Sequence, residues 1–201
     1  MKYRNIIFDL YDVLIETGMK NTIQEILGEK NKEYIPICLE FLKSQSWNKF
    51  RLGLLSFNEI RKLLPPGYPP ELFDKLISHI QHHIHEIPEM ISLLKDLRKQ
   101  GYHLYLISNV NPETLSKLQQ KFSFFKLFNG IVIPFDAHAL KPDPIIYKTL
   151  LKKYNLKPEG CIFIDDKQDY VAGAQKVGIT GILHKSPKQT IDKLKMLEVL
   201  E

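Results

Sequence analysis

Four short apolar runs punctuate the chain: Asn5-Ile6-Ile7-Phe8, His103-Leu104-Tyr105-Leu106-Ile107, Gly130-Ile131-Val132-Ile133 and Cys161-Ile162-Phe163-Ile164. Their length, β-branched content and lack of alternation predict strands buried on both faces of a parallel sheet. A fifth strand is expected at Ile179-Thr180-Gly181-Ile182-Leu183. Between these runs, residues 87–100, 112–120 and 144–154 space their apolar positions as helices do, and Gly101 and Asn155 stand where helices stop. Strand alternating with helix predicts an α/β fold built on a doubly wound, Rossmann-like parallel sheet.

The first strand ends at Asp9, yet the next strong strand begins only near His103. The stretch between them reads as helix after helix. Residues 21–27, 34–43, 57–64 and 71–83 are amphipathic and are joined by breaks such as Leu64-Pro65-Pro66-Gly67-Tyr68-Pro69-Pro70. The expected organisation is therefore an α/β core of residues 1–16 and 87–201, with a helical cap inserted at 17–86.

Composition narrows the setting. At 201 residues the chain is long enough for a substantial core. Cys38 and Cys161 are far apart and form no C-x-x-C pair, which argues against a disulfide framework or a thiolate zinc site. The opening Met1-Lys2-Tyr3-Arg4-Asn5 runs into too short an apolar stretch for a signal peptide. No run approaches the roughly 20 apolar residues of a membrane span. A cytoplasmic protein is expected, with no membrane partner. The net charge of +5 comes from lysines scattered along helices, such as Lys148, Lys152 and Lys153, so a nucleic-acid footprint is not expected either.

Ligands of open α/β sheets bind at the carboxyl ends of the strands. The residues found there are Asp9 after the first strand, Ser108-Asn109 after the second and Asp165-Asp166 after the fourth, joined by Lys141 in the loop Leu140-Lys141-Pro142-Asp143-Pro144. Asp9, Asp165 and Asp166 offer oxygen ligands for a hard cation such as Mg²⁺. Ser108 and neighbouring backbone N–H groups can hold an anion's oxygens, and Lys141 adds positive charge. An aspartate so placed can attack phosphorus and form an aspartyl-phosphate. Each residue also has a plainer reading: Asp9 and Asp165-Asp166 as helix caps, Ser108-Asn109 as a strand-to-helix turn, and Lys141 as a solvated loop lysine.

The ordered set Phe8-Asp9-Leu10-Tyr11-Asp12-Val13-Leu14, Leu106-Ile107-Ser108-Asn109, Lys141-Pro142-Asp143-Pro144-Ile145-Ile146-Tyr147 and Phe163-Ile164-Asp165-Asp166, with Ala172-Gly173-Ala174 and Gly178-Ile179, resembles the haloacid dehalogenase-like hydrolases, and the insertion resembles that of their helical-cap subgroup. The resemblance implies a Mg²⁺-dependent phosphatase acting on a small phosphorylated metabolite. It implies Asp9 as nucleophile and metal ligand, the Tyr11 backbone carbonyl and Asp166 as further ligands, and Asp165 as a ligand or its support. Ser108, Asn109 and Lys141 are implied as the phosphate-binding residues.

One departure matters. The family's phosphatases usually read Asp-x-Asp-Gly at the first motif, the second aspartate being the general acid and base. Here Tyr11 stands in its place and Asp12 in the glycine's. Loss of a positioned acid or base costs about 10²–10⁴ in rate, so turnover of alkyl phosphates is expected to be slow. The family's true dehalogenases also carry a tyrosine there, use no metal, and hold their substrate with an arginine from the cap. Between Arg4 and Arg51 this chain has no arginine, and its Asp165-Asp166 pair is intact, which opposes the metal-independent 2-haloacid dehalogenase alternative. A catalytically weak, ligand-binding relative is a third reading. Two further features read as structural: the histidine run at 79–85 as an exposed helix face, and Trp47, Phe50 and Phe57 as packing aromatics.

Overall fold

The computed structural model describes residues 2–16, 23 and 27–201. The helix expected at 21–27 therefore lies largely outside the described residues. Among the described residues seven strands follow in chain order: β1 Asn5–Phe8, β2 Ile15–Glu16, β3 His85–Glu86, β4 His103–Ile107, β5 Gly130–Val132, β6 Cys161–Asp165 and β7 Thr180–Leu183. Five form one parallel sheet in the order β5-β4-β1-β6-β7. The strand order steps outward from β1 in both directions, which is the doubly wound arrangement.

Alternate residues of each strand serve opposite faces, and both faces are dry. Ile6, Phe8, Leu104, Leu106, Ile162 and Ile164 face one helical layer, in which Met90, Leu94 and Leu97 of helix Pro88–Lys99 are buried. Ile7, Tyr105, Ile107, Val132 and Phe163 face the other, against Ile146, Tyr147 and Leu150 of helix Pro144–Lys153. This double burial explains why the runs show no polar alternation. Gly101 (φ +88°) and Asn155 (φ +52°) take the left-handed conformation that ends a helix.

Residues after β2 build a third hydrophobic cluster of their own, with Cys38, Phe41, Phe50, Ile60, Phe73 and Leu76 at its centre. Helices Tyr34–Phe41, Gln45–Arg51, Phe57–Lys62 and Pro70–His82 carry it. The second of these was not anticipated from sequence. Also unanticipated is the antiparallel ribbon of β2 and β3, which pairs Ile15 with Glu86 and Glu16 with His85. His83 and His85 are exposed, and His85 belongs to the ribbon rather than to a helix, while the side chains of 79–82 lie outside the described residues.

The inserted helices touch the core at Gly53 (φ +74°), where a Cβ would stand 3.0 Å from both Phe135 Cδ2 and Pro112 Cδ. Lys117 Nζ, from the core, sits 5.0 Å above the Phe57 ring. Among the described residues no helix is long and apolar enough to cross a membrane.

Candidate active site

The sheet order explains how distant segments meet. β1 is the central strand, with β4 and β6 on either side in matched register, Phe8 opposite both Leu106 and Ile164. The residues that follow those positions, Asp9, Ser108 and Asp165-Asp166, therefore emerge at one edge. Carboxylate oxygens of Asp9, Asp165 and Asp166 all lie within 4.8 Å of one another.

Lys141 is buried at the centre of this group, 3% exposed. Its Nζ donates to Asp165 Oδ2 at 2.6 Å and to the Ile107 carbonyl at 3.2 Å, and stands 2.7 Å from Asp9 Oδ1. The last contact is an ion pair without hydrogen-bond alignment, so Asp9 Oδ1 is left with no aligned donor among the described residues. Burial alone would lower the ammonium's pKa, but Asp9 and Asp165 overrule it and raise it above the usual lysine range. Lys141 is thus a fixed cation. The plain reading of a solvated loop lysine is excluded.

The loop that delivers Lys141 is strapped by Asn109. The Lys141 N–H donates to Asn109 Oδ1 at 2.8 Å, and Asn109 Nδ2 donates to the Lys141 carbonyl at 3.0 Å and to the Tyr170 hydroxyl at 3.3 Å. Its amide is already engaged with protein partners. Ser108 differs: it is fully buried, and its Oγ has no hydrogen-bond partner among the described residues. A buried hydroxyl left without a partner costs about 1–3 kcal/mol, so a bound anion's oxygen is the partner the geometry invites.

Asp165 accepts from Lys141 at Oδ2 and from the Lys167 N–H at Oδ1, 2.9 Å away, so both of its oxygens are occupied. Burial first, and the Asp9 charge second, push its carboxyl up against the pull of Lys141. Asp166, half-buried, is pushed up by burial and by Asp9. Three carboxylates around a single ammonium leave excess negative charge at one point. An all-oxygen donor set of this kind fits a hard divalent cation such as Mg²⁺.

Tyr11 lies in the wall of the same cavity. Burial, then Asp9, then Asp12 raise its phenol far above the ordinary value, so it is neutral at any physiological pH. Asp12 takes φ +57°, a left-handed conformation that glycine adopts freely and aspartate only occasionally.

The cavity above these residues has a volume of about 210 Å³. Its far wall comes from the inserted helices, and Trp47, Phe50 and Phe57 are both packed together, with ring centroids 5.0 and 4.9 Å apart, and exposed to the cavity. Arg51 and Tyr170 also line it, and neither was singled out from sequence. Arg51 closes the unanticipated helix Gln45–Arg51, for which the Ser44 cap, accepting from the Trp47 N–H at 3.2 Å, was the available signal. Asp143 accepts from the Ile145 N–H at 2.9 Å and so caps its helix, as its setting before Pro144 predicts.

Fold and site together define a hydrolase of the haloacid dehalogenase-like type. The sequence profile of the haloacid dehalogenase-like hydrolases matches residues 6–183, and the chain belongs to that family. It is 29% identical to a glyceraldehyde 3-phosphate phosphatase of Pyrococcus furiosus, over 91% of this chain and 81% of that one. Among solved structures it resembles a HAD-family enzyme of Bacteroides thetaiotaomicron in complex with magnesium and inorganic phosphate, with TM-score 0.71, 21% identity, and 91% and 94% of the two chains covered. It also resembles the L-2-haloacid dehalogenase of Xanthobacter autotrophicus, with TM-score 0.67, 14% identity, and 99% and 85% covered.

Proposed function

We propose that this hydrolase is a Mg²⁺-dependent phosphatase that cleaves small phosphate monoesters through a phosphoryl group carried on Asp9. The observation that carries the reading is the meeting of Asp9, Asp165 and Asp166 around buried Lys141, beside the unpartnered Ser108 hydroxyl. Asp9, Asp166 and the Tyr11 carbonyl would hold the ion, with Asp165 fixing Lys141. Bound there, Mg²⁺ supplies the positive charge that cancels repulsion between a carboxylate nucleophile and an anionic substrate.

In this reading an Asp9 carboxylate oxygen attacks phosphorus, and the ester P–O bond breaks, its electron pair leaving with the alcohol oxygen. Ser108 donates its O–H to a phosphoryl oxygen, and Lys141 balances charge as it moves between Asp9 and the phosphoryl group. Water then attacks phosphorus. The bond between the Asp9 oxygen and phosphorus breaks, the carboxylate is restored, and inorganic phosphate leaves with the water's oxygen and its protons, which then equilibrate with solvent. Tyr11, held neutral, cannot accept a proton as the missing aspartate would. Leaving groups of low pKa depart without a proton, so aryl and acyl phosphates are the better substrates.

The test is hydrolysis of p-nitrophenyl phosphate with and without Mg²⁺. Turnover that requires the ion and is abolished in Asp9→Asn is the expected result. Hydrolysis that persists in Asp9→Asn, or no hydrolysis at any Mg²⁺ concentration, overturns the proposal. Tyr11 and the cavity-lining Arg51 also suit the alternative of metal-independent haloacid hydrolysis. Halide release from 2-chloropropionate in EDTA would select it.

A further inference from the structure

The inserted helices contribute Leu42, Trp47, Phe50, Arg51, Phe57 and Ile77 to the cavity over Asp9. Five of the six are apolar. A hydroxyl-rich ligand placed against them would lose its water and find few partners, which costs a few kcal/mol for each unsatisfied hydroxyl. An apolar group placed there gains by burial, and the aromatic rings offer broad faces for it.

Arg51 is the exception on this wall. It is half-buried, and its guanidinium has no hydrogen bond or ion pair among the described residues. Arg61 on the neighbouring helix shows the contrast, holding Asp74 through three bonds of 2.8, 3.1 and 2.8 Å. Burial lowers the Arg51 pKa, and the group whose field it feels is Tyr170. A guanidinium stays charged in any protein setting, so one left half-buried without an anion is incomplete. Its position points to what completes it. The Tyr170 hydroxyl is bonded by Asn109, the neighbour of Ser108, and the Tyr170 ring lies 4.9 Å from Lys141 Nζ. Arg51 and Tyr170 thus line the same cavity as Ser108 and Lys141, the groups suited to an anion.

We propose that Arg51 binds the phosphoryl oxygens of the ligand while Trp47, Phe50 and Phe57 receive its organic group, so that the substrates are phosphate monoesters of apolar alcohols or phenols rather than of polyols or sugars. The inference rests on the phosphatase reading for the identity of the anion. A planar guanidinium suits this role because it can give two parallel bonds to a phosphate.

The experiment is calorimetric binding of two non-hydrolysable probes of similar size, benzylphosphonate and 2,3-dihydroxypropylphosphonate, to the full chain in Mg²⁺. Benzylphosphonate should bind at least about tenfold more tightly, within the roughly 10–200-fold that a small apolar difference commands in a hydrophobic pocket. Arg51→Ala should weaken both probes by about 10- to 100-fold, the worth of a charge-assisted pair. Phe57→Ala should weaken only the benzyl probe. Arg51→Met keeps the apolar stem, and carries the same comparison should the alanine variant melt early. Equal or reversed probe preference, unchanged affinity in both Arg51 variants, or no binding of either probe overturns the inference. Turnover of phenyl phosphate and glycerol 3-phosphate separates the two readings. Tight benzylphosphonate binding without any turnover leaves Arg51 and the aromatic wall standing as a ligand site and removes the phosphatase, and with it the substrate assignment. Faster turnover of glycerol 3-phosphate does the reverse.

Discussion

Lys141 ties three segments of the active site together, and its removal has a calculable cost. In Lys141→Met the side chain keeps nearly its length but loses the 2.6 Å bond to Asp165, the 2.7 Å contact with Asp9 and the bond to the Ile107 carbonyl. Two buried carboxylates then face each other without a counter-charge. Breaking a buried ion pair from one side costs about 3–5 kcal/mol, because the stranded charge cannot recover its hydration. For a chain of 201 residues, at about 2–4 °C per kcal/mol, the melting temperature should fall by roughly 6–20 °C. The assay is urea unfolding followed by circular dichroism in EDTA, so that no cation fills the gap. Adding Asp165→Asn removes one of the stranded charges. The double variant should regain about 1 kcal/mol or more over the single one, a coupling of the size found between contacting groups. A Lys141→Met protein within about 1 kcal/mol of the wild type would refute the reasoning, as would a double variant no more stable than the single.

Three other outcomes are expected. Tyr11→Asp should raise kcat on alkyl phosphates by about 10-fold or more, up to the 10²–10⁴ that a positioned acid commands, and change p-nitrophenyl phosphate turnover much less; equal effects on both would show that protonation of the leaving group is not limiting. Gly173→Ala should destabilise by about 1–3 kcal/mol and lower turnover, since its Cβ would lie 2.6 Å from the Pro142 carbonyl oxygen beside Lys141; unfolding curves and steady-state rates read both. His184 is buried, bonded through Nδ1 to Thr190 at 2.7 Å, and burial lowers its pKa. The unfolded chain then binds the extra proton first, so this histidine's contribution is complete above its unfolded pKa of about 6.5 and is lost as pH falls toward the folded value. Unfolding free energies measured from pH 7.5 to 5 should decline less steeply in His184→Asn; equal slopes would exclude it.

The sheet was legible because its strands are buried on both faces, which leaves an apolar run with no polar interruption. The convergence of Asp9, Ser108, Asp165 and Asp166 was legible for a related reason: strand ends in a parallel sheet share one edge, whereas Lys141 sits in a loop and was singled out only by the company of the others. What escaped notice is short or indirect. β2 and β3 have two residues each, too few to show any period. Helix Gln45–Arg51 has apolar residues only at Trp47 and Phe50 among its seven positions, and that pattern hid the helix and with it Arg51. The strapping role of Asn109 depends on where the Lys141 loop passes, a long-range fact that no local spacing encodes.

The paired strands β2 and β3 bear on how such a molecule can change. The polypeptide departs from the sheet at Ile15–Glu16 and returns at His85–Glu86, and these two crossings lie side by side. A change between them leaves the two crossings adjacent, and it acts on the core through the close approach of Gly53 to Phe135 and Pro112 and of Phe57 to Lys117. The part that carries the acids and the part that shapes the room above them are thus linked covalently at one paired ribbon and packed together at Gly53 and Phe57, so that new selectivity can be grafted on the far wall while the reactive edge keeps its residues.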